Sequence, residues 1–165
     1  MNILIDSKSG KIMDDNIQHN TMITDTHETI EPESKTEVSN QIHVLLIDDD
    51  NALCRLFGGY LEKAGFQVIY AHDGDEGREI ARRLQPNIIL LDLGLPGMDG
   101  YELSSRFKTE KLTKHIPLII LTNADVSKEA EGLLKQKGVA DYIHKSVEAE
   151  ELVERIRKVL QLHKE

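Results

Sequence analysis

Asn87-Ile88-Ile89-Leu90-Leu91-Asp92 is an unbroken apolar run that stops on a carboxylate. A run of that length just after Pro86, with no polar alternation, predicts a strand over about 87–91 that is covered on both faces. Three further stretches repeat the pattern. His43-Val44-Leu45-Leu46-Ile47 leads into Asp48-Asp49, Pro117-Leu118-Ile119-Ile120-Leu121 into Thr122, and Ala140-Asp141-Tyr142-Ile143-His144 into Lys145. In a parallel sheet all four polar endings come to the carboxyl edge, where open α/β sheets bind their ligands.

A fifth strand is expected at 67–71, and the gaps between strands carry helical spacing. The first helix, about 51–64, has Leu53, Leu56, Phe57, Tyr60, Leu61 and Ala64 at intervals of three and four, with Gly65 to end it. The second, about 75–84, turns Ile80, Ala81 and Leu84 inward. The third lies near 100–109, the fourth at 127–137 before Gly138, and the fifth at 148–162 with Leu152, Val153, Ile156, Val159 and Leu160 on one side. Five βα units in succession predict a doubly wound α/β sheet.

The chain has 165 residues and a formal net charge of -9. Residues 42–163 suffice for the core of one domain and leave no room for a second. An acidic balance without a Lys/Arg stripe argues against nucleic acid as a partner. Cys54, the single cysteine, has no internal disulfide partner, and neither an export signal nor a membrane-length apolar run is present, so a cytoplasmic protein without a membrane partner is expected. Residues 1–41 hold eight acids and three lysines, with apolar residues at no regular period. They predict a disordered acidic polar tail, either an inert solvating segment or a docking segment.

Leu91-Asp92-Leu93-Gly94-Leu95-Pro96-Gly97-Met98-Asp99-Gly100, taken with the four strand endings, resembles the receiver domain of two-component response regulators over about 42–163. The resemblance implies a flavodoxin-like five-stranded parallel sheet in the order 2-1-3-4-5. It implies a stand-alone regulator that takes a phosphoryl group from a sensor histidine kinase or a histidine phosphotransfer protein. Asp92 is the implied phosphoacceptor. Asp48, Asp49, Asp92 and the Gly94 backbone carbonyl are the implied ligands of Mg2+, with Mn2+ as a substitute. Thr122 and Lys145 are implied to contact the phosphoryl group, and Thr122 with Tyr142 to form a switch that remodels the face of the fourth helix, fifth strand and fifth helix. Asn123 and Ala124 fall where receivers modulate access to the phosphoacceptor, and Gly94 and Ala124 offer no side chain to position or block water. Such a protein assists its own phosphorylation and dephosphorylation without being a classical enzyme, and a phosphorylation-dependent dimer is compatible with it. The chain departs from the common pattern at Ser146, where receivers usually carry a proline after a cis bond, and at Asn123, where a small residue is usual. The Lys145–Ser146 bond is therefore either a cis bond costing about 2.5–4 kcal/mol or an ordinary trans bond, and Asn123 predicts slower transfer and slower hydrolysis.

The residue chemistry supports the same roles independently. Three gathered carboxylates repel one another and need protons or cations at neutral pH, which a divalent ion and Lys145 supply. Magnesium prefers oxygen ligands and keeps several waters, which suits Asp side chains and a carbonyl. Phosphoryl transfer asks mainly for positioning and charge neutralisation, and a carboxylate nucleophile needs no general base. Taken singly, each piece has an ordinary reading: Asp50 or Asn51 as a helix cap, Thr122 as a strand residue, Lys145 as a surface charge, Pro96-Gly97 as turn chemistry. The conjunction at four strand endings is the specific signal.

The seven histidines form no i, i+4 pair and have no cysteine partner, so core or surface roles are expected, and Cys54 is expected to be a small buried residue of the first helix. A haloacid-dehalogenase-type phosphatase calls for a second Asp two residues after the nucleophile, where Gly94 stands, and a flavodoxin calls for a phosphate-cradling loop where Asp48-Asp49-Asp50 stands. The remaining alternative is a degenerate receiver acting as a phosphorylation-independent interaction module. The fifth helix is expected to end within a few residues of Glu165, so output is expected through an unknown protein target or through onward relay.

Overall fold

The computed structural model describes residues 41–124 and 127–162; apart from Gln41, the expected acidic tail lies outside the described residues. Strand and helix alternate as β1 (His43–Ile47), α1 (Asn51–Lys63), β2 (Gln67–Ala71), α2 (Gly74–Leu84), β3 (Ile88–Asp92), α3 (Gly100–Thr109), β4 (Leu118–Thr122), α4 (Lys128–Gln136), β5 (Asp141–His144) and α5 (Ala149–Leu162). The strands form one parallel sheet in the order β2-β1-β3-β4-β5. Among the described residues no helix is long and apolar enough to cross a membrane.

The sheet explains why its central strands are apolar at every position. Val44, Leu46, Ile88, Leu90, Ile119 and Leu121 join one core with Phe57 and Leu61 of α1 and Leu152 and Ile156 of α5. Their neighbours Leu45, Ile47, Ile89, Leu91, Leu118 and Ile120 join a second core with Ala81 of α2 and Leu103 and Phe107 of α3. Alternate residues thus serve opposite faces, and both faces are covered. Burying each Leu or Ile contributes about 1.5–3 kcal/mol before the entropy of ordering it.

Element ends differ from the expectations in ways with physical causes. β3 and β4 each start and stop one residue later than the apolar runs, the start of β4 because Pro117 has no N–H for the ladder, and Asp92 and Thr122 are last strand residues rather than first loop residues. Leu56 and Leu84, expected inward, are 46% and 47% exposed. The packed row of α1 runs Cys54, Phe57, Gly58, Leu61, which leaves Leu56 on the far side, and Leu84 is the last residue of α2. Gly65 and Gly138 take positive φ at the ends of α1 and α4 as glycine allows, but α2 ends on Gln85 at φ 49°. The Gln85 amide compensates by donating to the carbonyls of Ala81 and Arg82.

Close approaches fix where α2 and α3 sit. A Cβ on Gly77 would lie 2.6 Å from Ile47 Cδ1, and one on Gly100 would lie 2.4 Å from the Leu93 Cα. The second clash is with backbone and has no side chain to turn aside. Gly100→Ala is therefore expected to lower unfolding free energy by about 3 kcal/mol, whereas Gly59→Ala, which has nothing within 4 Å in mid-helix, should raise it by about 0.5–1 kcal/mol. Urea denaturation reads both; midpoint shifts of the same sign would contradict this account of the packing.

Candidate functional site

The chain passes from β1 to β2 on one side of β1 and returns to β3 on the other, so a crevice opens where β1 and β3 end. Asp48 follows β1 immediately. Its N–H continues the ladder to the Ala71 carbonyl at 3.0 Å, which turns its side chain into the crevice in full burial. Asp50 caps α1, its Oδ1 accepting from the N–H groups of Ala52 and Leu53 at 2.7 and 3.2 Å, and its own N–H donates to Asp48 Oδ1 at 2.9 Å. The acid run thus divides its labour: Asp50 caps a helix, while Asp48 and the exposed Asp49 face the site. Asp92 ends β3 at 5% exposure, and Thr122 ends β4 at 4%.

Lys145, at the end of β5, joins these elements. Its N–H donates to the Thr122 carbonyl at 2.8 Å. Its ammonium lies 2.8 Å from Asp48 Oδ2 and 3.0 Å from Asp92 Oδ1, and the three side chains are 5%, 1% and 8% exposed. One carboxylate oxygen from each of Asp48, Asp49 and Asp92 lies within 4.8 Å of the others. Three acids therefore face one ammonium, and the site is short of positive charge.

The titration of the pair reflects that shortage. Burial alone would push Lys145 down, but the carboxylates of Asp48 and Asp92 outweigh it and raise the ammonium above the usual lysine range. Burial raises Asp48 above the usual carboxylate range, and Lys145 and the Asp50 N–H only partly oppose it. Among the described residues the Lys145 ammonium is the one close partner of the buried Asp48 Oδ2, at 2.8 Å, and it is shared with Asp92.

These features fit a hard divalent cation such as Mg2+: a clustered set of oxygen donors with excess negative charge. Gly94 is exposed and leaves space on this side, since a Cβ there would lie 3.2 Å from Asp92 Oδ2. Asn123 and Ala124 are exposed beside Thr122, and the Ala124 N–H donates to Thr122 Oγ1 at 3.0 Å. The Tyr142 hydroxyl donates to the Ala124 carbonyl at 2.7 Å, which ties β5 to the loop after β4. Asp48, Asp49, Asp92, Thr122 and Lys145 are thus brought to one edge, with Gly94, Asn123, Ala124 and Tyr142 around it. No cis peptide bond occurs among the described residues, so Lys145–Ser146 is trans.

Two constellations were not visible in the sequence. Arg155 of α5 donates to both oxygens of Asp141 at 2.8 and 2.7 Å and to the Tyr142 carbonyl at 2.6 Å, fixing the backbone of β5. Burial would raise the Asp141 carboxyl, but Arg155 overcomes it and holds the group below the usual range. His144 bonds to Asn123 and Ser146, and no spacing rule marks it.

Comparison with known proteins places this geometry in a family. A model described as the response regulator receiver domain matches residues 44–157. The DNA-binding dual master transcriptional regulator RpaA of Synechocystis is 37% identical over 118 residues, which are 71% of this chain but 48% of RpaA, so the chain spans about half the length of that relative. Protein PilH of Pseudomonas aeruginosa is 33% identical over 118 residues, covering 71% of this chain and 96% of PilH. The crystal structure of a CheY-like receiver domain protein from Methanospirillum hungatei superposes with a TM-score of 0.68 at 29% identity, covering 75% of this chain and 97% of that one.

If the carboxylate cluster takes a metal, Mg2+ at one hundred times its Kd should stabilise the fold by about 2.7 kcal/mol, with EDTA reversing the gain. In Asp49→Ala the shift should shrink or vanish. A melting temperature indifferent to Mg2+ would count against the site.

Proposed function

The chain belongs to the response regulator receiver family, and on that premise we propose that it is a signalling switch phosphorylated on Asp92. The observation that carries this reading is the buried Lys145 ammonium held between Asp48 and Asp92 at the carboxyl edge of the sheet. The donor is a phosphohistidine on a sensor kinase or a histidine phosphotransfer protein. An Asp92 carboxylate oxygen attacks phosphorus, the phosphorus–nitrogen bond breaks, and the histidine imidazole leaves and takes up a proton. Asp92 already carries the electron pair for the new bond, so no residue of this chain removes a proton.

Asp48, Asp49, Asp92 and the Gly94 carbonyl would hold the metal, and Mg2+ when bound supplies charge neutralisation to the phosphoryl oxygens. Lys145 pairs with the arriving group by exchanging part of its contact with Asp92, and the Thr122 hydroxyl reorients from the Ala124 N–H toward a phosphoryl oxygen. Asn123 and Ala124 border the approach and set how readily a donor or water reaches Asp92. The domain assists its own modification, as a switch does, and is not a classical enzyme.

The signal leaves through β5. Movement of Thr122 toward the phosphoryl group displaces the loop to which Tyr142 is bonded, and the face made by α4, β5 and α5 changes its population of states. A protein target reads that face.

Intact mass after incubation with acetyl phosphate and Mg2+ tests the core of this reading. One phosphoryl adduct is expected in the wild type and none in Asp92→Ala; no adduct with acetyl phosphate or a panel of histidine kinases would favour an interaction module that works unmodified. In Tyr142→Ala, phosphoryl uptake should stay within about threefold, the scale of one surface hydrogen bond, while the phosphorylation-dependent change in hydrogen exchange over β5 and α5 disappears. Equal loss of both would remove Tyr142 from the output path.

A further inference from the structure

We propose that His144 is a positioning residue that locks the loop carrying Thr122 to the loop carrying Lys145. The proposal rests on the phosphoacceptor reading of Asp92 and adds a residue that this reading does not contain.

His144 lies opposite Thr122 in the parallel register of β4 and β5 and next to Lys145 in the chain. Its imidazole is bonded on both sides. Nδ1 lies 3.2 Å from the Ser146 N–H and 2.7 Å from Ser146 Oγ, and Nε2 lies 3.2 Å from the Asn123 carbonyl. A backbone N–H can only donate, so Nδ1 accepts and the ring proton sits on Nε2. A backbone carbonyl can only accept, so the Asn123 contact requires that same tautomer. Two independent partners thus specify one neutral form of the ring.

The consequence is a bridge between the two loops. Asn123 directly follows Thr122, and Ser146 directly follows Lys145, so the ring joins the residues adjacent to both proposed phosphoryl contacts. The strand hydrogen bond from the Lys145 N–H to the Thr122 carbonyl, at 2.8 Å, ties the same two elements. Tyr142, on the same face of β5, holds the neighbouring Ala124 carbonyl. With the Lys145–Ser146 bond trans, the ring restrains the start of the loop after β5 by hydrogen bonds rather than by backbone covalent geometry. His144 is solvent-exposed, so water competes for each bond and the effect is modest in size.

The test compares wild type, His144→Phe and His144→Gln. Phe keeps a planar ring and removes both polar arms; Gln restores an N–H donor at the reach of Nε2. Phosphoryl uptake is followed over a range of acetyl phosphate concentrations at saturating Mg2+, with melting temperature measured alongside. His144→Phe is expected to lower the maximal rate by about three- to tenfold, as loss of one or two neutral hydrogen bonds predicts, with the half-saturating donor concentration unchanged. His144→Gln should recover most of that rate at a melting temperature no higher than that of His144→Phe. A His144→Phe rate equal to wild type overturns the inference while the phosphoacceptor reading stands, as does a loss that Gln does not rescue. No uptake by the wild type overturns the phosphoacceptor reading and this inference together.

Discussion

A side chain from one edge of the sheet ends between carboxylates from its middle, and much of the molecule is arranged to allow it. Lys145 leaves β5, yet its ammonium contacts Asp48 after β1 and Asp92 at the end of β3. A one-residue slip in any of the intervening ladders would turn the strand's inward residues to the opposite face and move a charge out of the crevice. The apolar strands, covered on both faces, prevent such slips. Breaking a buried pair of this kind costs about 3–5 kcal/mol, because the remaining charges stay buried without compensation. The fold and the site therefore specify each other.

The shortage of positive charge is the second constraint. A structure built only for stability would match its acids with bases, as Arg155 does for Asp141, or Arg82 for Glu110 on the surface. Around Asp92 the chain instead sets three carboxylates against the single Lys145 ammonium. Such local frustration is tolerated where an incoming group relieves it, and the rigid core on either side of the sheet supplies the stability that the crevice lacks.

Much of this was legible because the decisive residues end apolar runs. Asp48, Asp92, Thr122 and Lys145 each stand where a hydrophobic pattern stops, and a parallel sheet gathers such positions by geometry alone. What was not legible depends on contacts between loops. His144 reads as an ordinary polar residue at the end of a strand until the loop after β4 is set beside it. Arg155 meets Asp141 across fourteen positions of sequence, with no periodicity to announce the pair. The end of α2 carried no glycine, so the left-handed turn at Gln85 had no signature beyond the Pro86 that follows. Leu56 and Leu84 misled for the opposite reason: helical spacing admits more apolar positions than one contact face can cover.

The place of β5 in the sheet has a mechanical consequence. It is four residues long and, among the described residues, pairs only with β4, so its other side carries no ladder there. Displacing a central strand would break two rows of backbone hydrogen bonds, whereas shifting β5 strains one. Tyr142 and His144 ride on that strand, and Lys145 follows directly. An edge strand of the sheet is thus the one that touches both the buried charges and the outer surface, and a change in force at the crevice is transmitted outward through a strand held by a single ladder.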